Sequence, residues 1–101
     1  MGIREEDKTI MGILETRGLE TAIKAERFIE GLGGKFSQYV LQYESDARLV
    51  KLNYGTGHAP VYSIMLDAFA PAIGTGSTEI EAWKNAALDI WLLQQDREAK
   101  S

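Results

Sequence analysis

The chain has a single histidine, His58, and the groups around it are the first candidates for acid–base chemistry. His58 ends a Gly-Thr-Gly-His stretch at 55–58, and Ser63 and Asp67 follow it. A catalytic histidine needs a nucleophile or an acid within hydrogen-bond reach, and nothing in this spacing forms a triad. Because a histidine beside glycine is common in turns, we predict a polar turn residue, no catalytic residue and no enzyme activity.

A second Gly-Thr-Gly triplet, at 74–76, comes before the last predicted helix, whose first N–H groups are candidates for binding an anion. Glu79 and Glu81 already place negative charge in the first turn of that helix, and they would repel a phosphate. The sequence therefore favours a glycine loop that leads into a helix cap, with Thr78 and Glu81 in a capping-box relation.

Composition narrows the possible functions. The 101 residues are 45% hydrophobic and 26% charged, as is ordinary for one soluble globular domain. Fifteen acidic residues against eleven basic ones give a formal net charge of −4, which opposes general attraction to nucleic acid.

Cysteine is absent, which removes thiolate metal ligands and fits a reducing compartment. One histidine with scattered carboxylates has no metal-ligand spacing, so we predict no metal and no cofactor. We also expect a cytoplasmic protein with no signal peptide and no membrane span, because there is no run of about 18 apolar residues.

Hydrophobic periodicity predicts the order of the elements. Helical spacing predicts a short amphipathic helix within 3–17, a clearer helix over 20–32 and an alanine-rich helix over 77–95. Alternation predicts strands within 35–44, 47–54 and 61–69, joined by connections at 44–47 and 55–57. The segment 70–77 is either a loop or a short further strand.

These elements predict an α+β fold, a three-stranded antiparallel sheet with terminal helices packed on one face and a short N-terminal helix. We divide the chain into an N-terminal amphipathic segment (1–17), a single α-β-β-β-α domain (18–95) and a polar tail that frays (96–101).

The second half of the chain resembles the double-stranded-RNA-binding domain over about residues 50–93. That family carries Gly-Pro-x-His between its first two strands, an aromatic residue four positions later, Gly-x-Gly-x-Ser before its last helix, and Ala followed by Ala-Ala within it. The residues at these positions here are Gly55, Thr56, Gly57, His58, Tyr62, Gly74, Gly76, Thr78, Ala82, Ala86 and Ala87. The resemblance implies a minor-groove contact with duplex RNA from the turn that ends in His58.

The departures from that family weaken the RNA interpretation. Glu79, Ile80 and Trp83 stand where the family has phosphate-binding lysines, and Thr56 replaces the proline of the turn. The strand predicted over 35–44 has no counterpart in the family. RNA binding is therefore kept as the alternative function. A second resemblance, to small phage-encoded "ABA sandwich" domains, implies a phage or mobile-element accessory protein that inhibits a host factor.

The last helix supplies the candidate partner-binding residues. They are Trp83, Leu88, Trp91 and Leu92. Leu88 and Leu92 form an i, i+4 pair on a polar face, opposite the sheet, and such a pair needs cover. The cover is either a second copy of the chain or the N-terminal segment, through Ile10, Ile13 and Leu14.

Both faces of the predicted sheet are unusually apolar for an antiparallel sheet with one solvated face. One face carries Tyr39, Leu41, Tyr43, Val50, Leu52, Tyr62, Ile64 and Leu66, and the other carries Phe36, Val40, Leu49, Val61, Met65 and Phe69. This pattern predicts a non-catalytic protein–protein interaction module with a protein partner, and a homo-oligomer.

Overall fold

The structure is a computed structural model that describes residues 9–67 and 70–100. Its elements, in chain order, are α1 (Ile10–Arg17), α2 (Leu19–Leu32), α3 (Phe36–Tyr43), β1 (Arg48–Leu52), β2 (Val61–Met65), β3 (Gly74–Gly76) and α4 (Glu79–Lys100). The three strands form one antiparallel sheet in the order β1-β2-β3. The predicted α+β fold class is confirmed.

Glycine and threonine set the limits of the first two helices. The side chain of Thr9 caps α1 by accepting a hydrogen bond from the N–H of Gly12. Gly18, at φ 94°, joins α1 to α2, and Gly33, at φ 58°, ends α2 in the left-handed conformation. The helix predicted over 20–32 is confirmed, whereas the start of the first predicted helix, 3–8, lies outside the described residues.

The strand predicted over 35–44 is wrong, because these residues form the helix α3. Phe36 and Val40 are buried, and Tyr39 packs against the same core. Together with Tyr43, these apolar residues recur at i, i+3, i+4 and i+7, which is the spacing of one helical face. The residues at 44–47 consequently lead from a helix into β1 and do not form a hairpin.

The sheet contains two of the predicted strands. Its third strand, β3, is the short further strand that was one of the two alternatives for 70–77. In its register, Leu49 pairs with Ile64 and Lys51 pairs with Tyr62, and paired residues lie on the same face of a sheet. Val50 and Leu52 therefore lie on the opposite sheet face from Tyr62 and Ile64, and the prediction that they share a face is wrong. The aromatic and aliphatic side chains of 36–43 belong to neither face of the sheet.

The helix α4 crosses one face of the sheet at very short range. Ala82 and Ala86 are fully buried against β3. A Cβ placed on Gly74 would lie 2.3 Å from the backbone nitrogen of Ala86, so only glycine fits there. The side-chain amide of Asn85 donates to the carbonyl of Thr75 at 2.6 Å, which fixes the edge strand β3 to the helix.

Beyond the sheet, α4 continues to Lys100, although the sequence predicts that the tail at 96–101 frays. The guanidinium of Arg17, at the end of α1, donates to both carboxylate oxygens of Asp96, at 2.7 and 3.4 Å. The part of α4 around Asp96 thus lies beside the end of α1.

The core consists of two clusters, one on each side of α4. The sheet-side cluster contains Phe36, Val40, Ala47, Ile64, Ala82, Ala86, Ala87 and Ile90. The helix-side cluster contains Ile13, Ala22, Ala25, Leu88, Trp91 and Leu92. Each cluster buries a different face of the same helix, which explains why the middle of α4, residues 82–93, is apolar on more than one face.

Candidate functional site

The Gly-Thr-Gly-His stretch is an exposed turn within the connection between β1 and β2. Gly55 and Gly57 have φ values of 105° and 86°, which favour glycine. The N–H of His58 donates to the carbonyl of Gly55 at 3.3 Å and closes the turn. His58 itself is exposed. It therefore presents its imidazole to solvent from a glycine-built turn.

The structure does not bring His58 together with Ser63 and Asp67. Ser63 is buried at the centre of β2, paired with Val50 on one side and Thr75 on the other. Asp67 is exposed beyond the end of that strand. Over residues 9–67 and 70–100 there is also no group of three or more His, Asp or Glu side chains that could hold a metal ion.

The N-terminus of α4 is capped by its own side chains. The N–H of Glu81 donates to the hydroxyl of Thr78 at 3.1 Å, and the hydroxyl of Ser77 donates to the carboxylate of Glu81 at 2.6 Å. The carboxylate of Glu81 thus lies beside Ser77, in a variation on the predicted capping box. Ile80 is exposed in the same turn. This end of α4 presents acidic and apolar side chains to solvent.

Three of the four candidate partner-binding residues are core residues. Leu88, Trp91 and Leu92 are 0%, 8% and 5% exposed, and they pack in the helix-side cluster. The helices α1 and α2 cover most of these side chains, although Leu92 also lines a cleft beside α4. The fourth, Trp83, is partly buried against the sheet-side cluster.

The cover that the sequence predicts for Leu88 and Leu92 comes from the chain itself. Ile13 of α1 is fully buried against them, and Ile10 packs at the margin of the cluster. The third residue predicted to dock there, Leu14, is instead exposed. The helix α2 adds Ala22 and Ala25 to the cover, a contribution that a helical wheel of α4 alone could not show.

An aromatic chain that the sequence reasoning missed joins α2, α3 and α4. Phe28 stacks on Trp91 with ring centroids 5.6 Å apart and meets the ring of Tyr39 edge-on at 4.9 Å. The hydroxyl of Tyr39 donates to the side chain of Gln94 at 3.0 Å. The i, i+4 spacing of Tyr39 and Tyr43 is the sequence signal for this row of aromatic rings. The strand predicted at these residues hid that signal.

Burial raises the pKa of Tyr39 to about 12, and the neighbouring Tyr43 adds to the rise, whereas the hydrogen bond to Gln94 opposes it. Tyr39 therefore stays protonated at neutral pH and keeps its hydroxyl as a donor. Its role in this arrangement is to hold two helices together.

The outer faces of α1 and α2 expose four large apolar side chains, which we call the N-terminal patch. They are Met11, Leu14, Leu19 and Ile23, with exposures of 65%, 41%, 64% and 42%. On a helical wheel, Met11 lies opposite the buried Ile13, whereas Leu14, Leu19 and Ile23 lie at the borders of the buried faces. The i, i+3 spacing in α1 and the i, i+4 spacing in α2 are the sequence signals that could have revealed this patch.

A cleft of about 610 Å³ lies between the end of α1, the middle of α4 and the connection from β2 to β3. Its walls include Leu66, Pro71, Ile73 and Leu93, and the ion pair of Arg17 with Asp96 lies at its border. A shallower hollow adjoins Tyr62 and Ile80. Neither is lined by His58, Ser63 or Asp67.

None of the helices in the described part of the chain is long and apolar enough to cross a membrane. Comparisons with known protein families, with curated proteins and with solved structures give no match for this chain.

Proposed function

We propose that the chain is a non-catalytic protein-binding module that associates with a second copy of itself through the N-terminal patch. The observation that supports this proposal is the double-sided character of α1. Ile13 is fully buried on one side of this helix, Met11 is exposed on the opposite side, and Leu14 is exposed between them. A helix that is apolar on both sides has one side without a partner.

The two helices of the patch pack on the same part of α4. Their residues that contact α4 lie in one buried cluster, and we take the exposed apolar residues beside it as one surface. Clusters of exposed apolar residues of this kind are typical of protein interfaces. The patch therefore has the chemistry of an interaction surface without any rearrangement of the core.

Charge at the two ends of the patch favours a second copy as the partner. Glu15 lies near the turn at Gly18, and Arg27 lies two turns along α2 from Leu19. Both are exposed, and neither forms an ion pair within 9–67 and 70–100. A two-fold axis through the patch would place each Glu15 against the Arg27 of the other copy, because a two-fold interface exchanges its ends.

The mass of the particle in solution tests this proposal. Sedimentation equilibrium of the full chain should give twice the monomer mass at about 100 µM, a concentration at which a modest interface forms. Leu19→Glu should shift the equilibrium to the monomer, whereas Leu41→Glu, at an exposed apolar residue of α3, should not. A wild-type chain that remains monomeric at roughly 1 mM would remove the support for self-association.

Charge reversal tests the proposed pairing more closely. Glu15→Arg should weaken the dimer, because two basic residues then face each other, and the double variant Glu15→Arg with Arg27→Glu should restore it. Equal weakening by the single and the double variants would show that these charges do not meet across the interface.

Duplex RNA binding is the second candidate, and the position of α3 favours it. With 36–43 as a helix, α3-β1-β2-β3-α4 follows the α-β-β-β-α order of the double-stranded-RNA-binding domain. The His58 turn falls between the first two strands, and Gly74-Thr75-Gly76 leads into the last helix. The positions of the family's phosphate-binding lysines argue against RNA binding. They hold Glu79, Ile80 and Trp83, so few contacts to phosphate are expected.

A fluorescence titration with duplex RNA at low salt separates the two candidates. We expect no saturable binding. Binding that weakens steeply with salt and is lost in His58→Ala would favour the RNA function over the protein-binding function.

A further inference from the structure

The strand β1 has a free edge, and its length and regularity distinguish it from the other edge of the sheet. All five of its residues pair in continuous register with β2, from Arg48 with Met65 to Leu52 with Val61. Within the described residues, no backbone hydrogen bond joins the outer side of β1 to any other segment. Alternate N–H and C=O groups of β1 therefore point outward without a backbone partner.

The charge on this edge is positive, although the whole chain is acidic. Arg48 and Lys51 are exposed, and neither forms an ion pair with a carboxylate in the described part of the chain. Lys51 lies over the ring of Tyr62, with its Nζ 5.9 Å from the ring centroid. Because Arg48 and Lys51 are three residues apart, they lie on opposite faces of the sheet.

The sheet face turned away from α4 carries apolar side chains beside this edge. Val50 and Leu52 lie on it together with Val61 and Met65, and all four are half-buried. Of the described helices, α4 packs with the sheet-side cluster on the other face. An added strand would therefore find apolar side chains to cover as well as backbone groups to pair with.

From these three features we infer that the β1 edge binds an extended acidic segment of a partner protein as a fourth, antiparallel strand. One acidic side chain of that segment lies opposite Lys51 and a second lies opposite Arg48, on the other face of the sheet. The residue opposite Val50 is apolar. The recognised pattern is therefore acidic, apolar, any residue, acidic, read in the direction of the added strand.

A second copy of the chain does not supply this pattern. If β1 paired with itself around Val50, Lys51 would lie opposite Leu49 and Arg48 opposite Leu52, so the cations would meet no carboxylate. The partner is consequently a different protein. This inference uses a surface separate from the N-terminal patch and holds whether or not the chain self-associates.

A synthetic peptide provides the test. The probe is Thr-Asp-Val-Thr-Glu-Val-Thr, and its control has Asn and Gln in place of Asp and Glu. Titration followed by NMR should show saturable binding of the acidic probe, with slower hydrogen exchange at the outward amides of β1 and no such change at β3. The amide control should bind at least about tenfold more weakly, because two charge-assisted contacts are lost.

Variants of the protein give the matched comparison. Lys51→Glu and Arg48→Glu should each reduce the affinity for the acidic probe by about tenfold or more, whereas Lys35→Glu, at an exposed lysine before α3, should leave it unchanged. The Leu19→Glu variant should bind the probe as the wild type does, so failure of self-association and failure of this site are distinguishable.

Three results would overturn the inference. One is absence of binding at roughly 1 mM peptide, which would leave Arg48 and Lys51 as charges that only protect the edge from pairing. The second is equal binding of the acidic and amide peptides. The third is binding of duplex RNA that is lost in Lys51→Glu, which would assign the two cations to phosphate.

Discussion

The tripeptide Gly-Thr-Gly occurs at 55–57 and again at 74–76, and the two copies illustrate different reasons for requiring glycine. At 55–57 the residues are exposed, and both glycines have positive φ. At 74–76 the residues form the strand β3, Gly74 is buried, and neither glycine has positive φ. The first copy needs glycine for its backbone angles, and the second needs it because α4 leaves no room for a Cβ.

This difference shows that a sequence motif does not by itself define a site. An added Cβ on Gly55 or Gly57 would meet no atom within 4 Å, whereas one on Gly76 would lie 2.6 Å from the Cβ of Glu81. The exposed copy is open to a ligand but holds no fixed arrangement of polar groups around His58. The buried copy positions α4 on the sheet, so its contribution is to stability.

Gly74→Ala should have the largest effect of the substitutions that test this contrast. The new methyl group would collide with the backbone of Ala82 and Ala86, which cannot move aside as a flexible side chain could. We expect a loss of about 3 kcal/mol or more in the free energy of unfolding, measured by urea denaturation. If the variant does not accumulate as folded protein, its sheet-to-helix packing has failed as expected, whereas a loss below about 1 kcal/mol would contradict the proposed close contact.

Asn85→Ala should have the next largest effect, because it removes the donor to the Thr75 carbonyl in the same contact. The other side-chain atom of Asn85, its Oδ1, is buried without a hydrogen-bond partner in the described structure, and its removal offsets part of the loss. A decrease of about 1–2 kcal/mol in the free energy of unfolding is expected, and urea denaturation beside Gly74→Ala measures it. An unchanged stability would mean that the tether to β3 contributes nothing.

Gly57→Ala should cost about 1 kcal/mol, since alanine must adopt a φ of 86° but meets no neighbouring atom. The measurement is the same denaturation curve, with its slope compared with that of the wild type to show that the denatured state is unaltered. A loss as large as that of Gly74→Ala would remove the distinction between the two triplets.

His58→Ala should have the smallest effect on folding, within about 0.5 kcal/mol of the wild type, because the side chain is exposed and the turn is closed by its backbone N–H. Thermal unfolding followed by circular dichroism is sufficient. A large loss would indicate that the imidazole has a structural contact that the turn geometry does not show.

Helical periodicity made α2 predictable, and the cap and the alanine spacing made α4 predictable. Short runs of aliphatic and aromatic residues between turn signals made β1 and β2 predictable. The residue types of 36–43 predict a strand, because tyrosine, valine and phenylalanine favour strands, whereas the i, i+3, i+4, i+7 spacing of its apolar residues indicates a helix. Tertiary packing of Phe36 and Val40 against α4 decides in favour of the helix.

Two other features depended on information that a local pattern does not contain. In Leu49-Val50-Lys51-Leu52 both faces carry apolar residues, so alternation alone leaves the register of β1 ambiguous by one residue. The need of Leu88 and Leu92 for cover was predictable from their spacing on α4. That the cover comes from α1 and α2, which buries the candidate partner-binding residues, followed only from the three-dimensional arrangement.

The helix-side cluster has a consequence for the order of events during synthesis. It joins Ile13, Ala22 and Ala25, from the beginning of the chain, to Leu88, Trp91 and Leu92, from near its end. At translation rates of about 5–20 residues per second, several seconds separate the emergence of the first group from that of the second. During this interval α1 and α2 expose both their patch side and their future core side. We therefore expect chaperones to release the nascent chain only after α4 has left the ribosome. The long sequence separation between the two groups delays folding of this small domain, even though its helices are short.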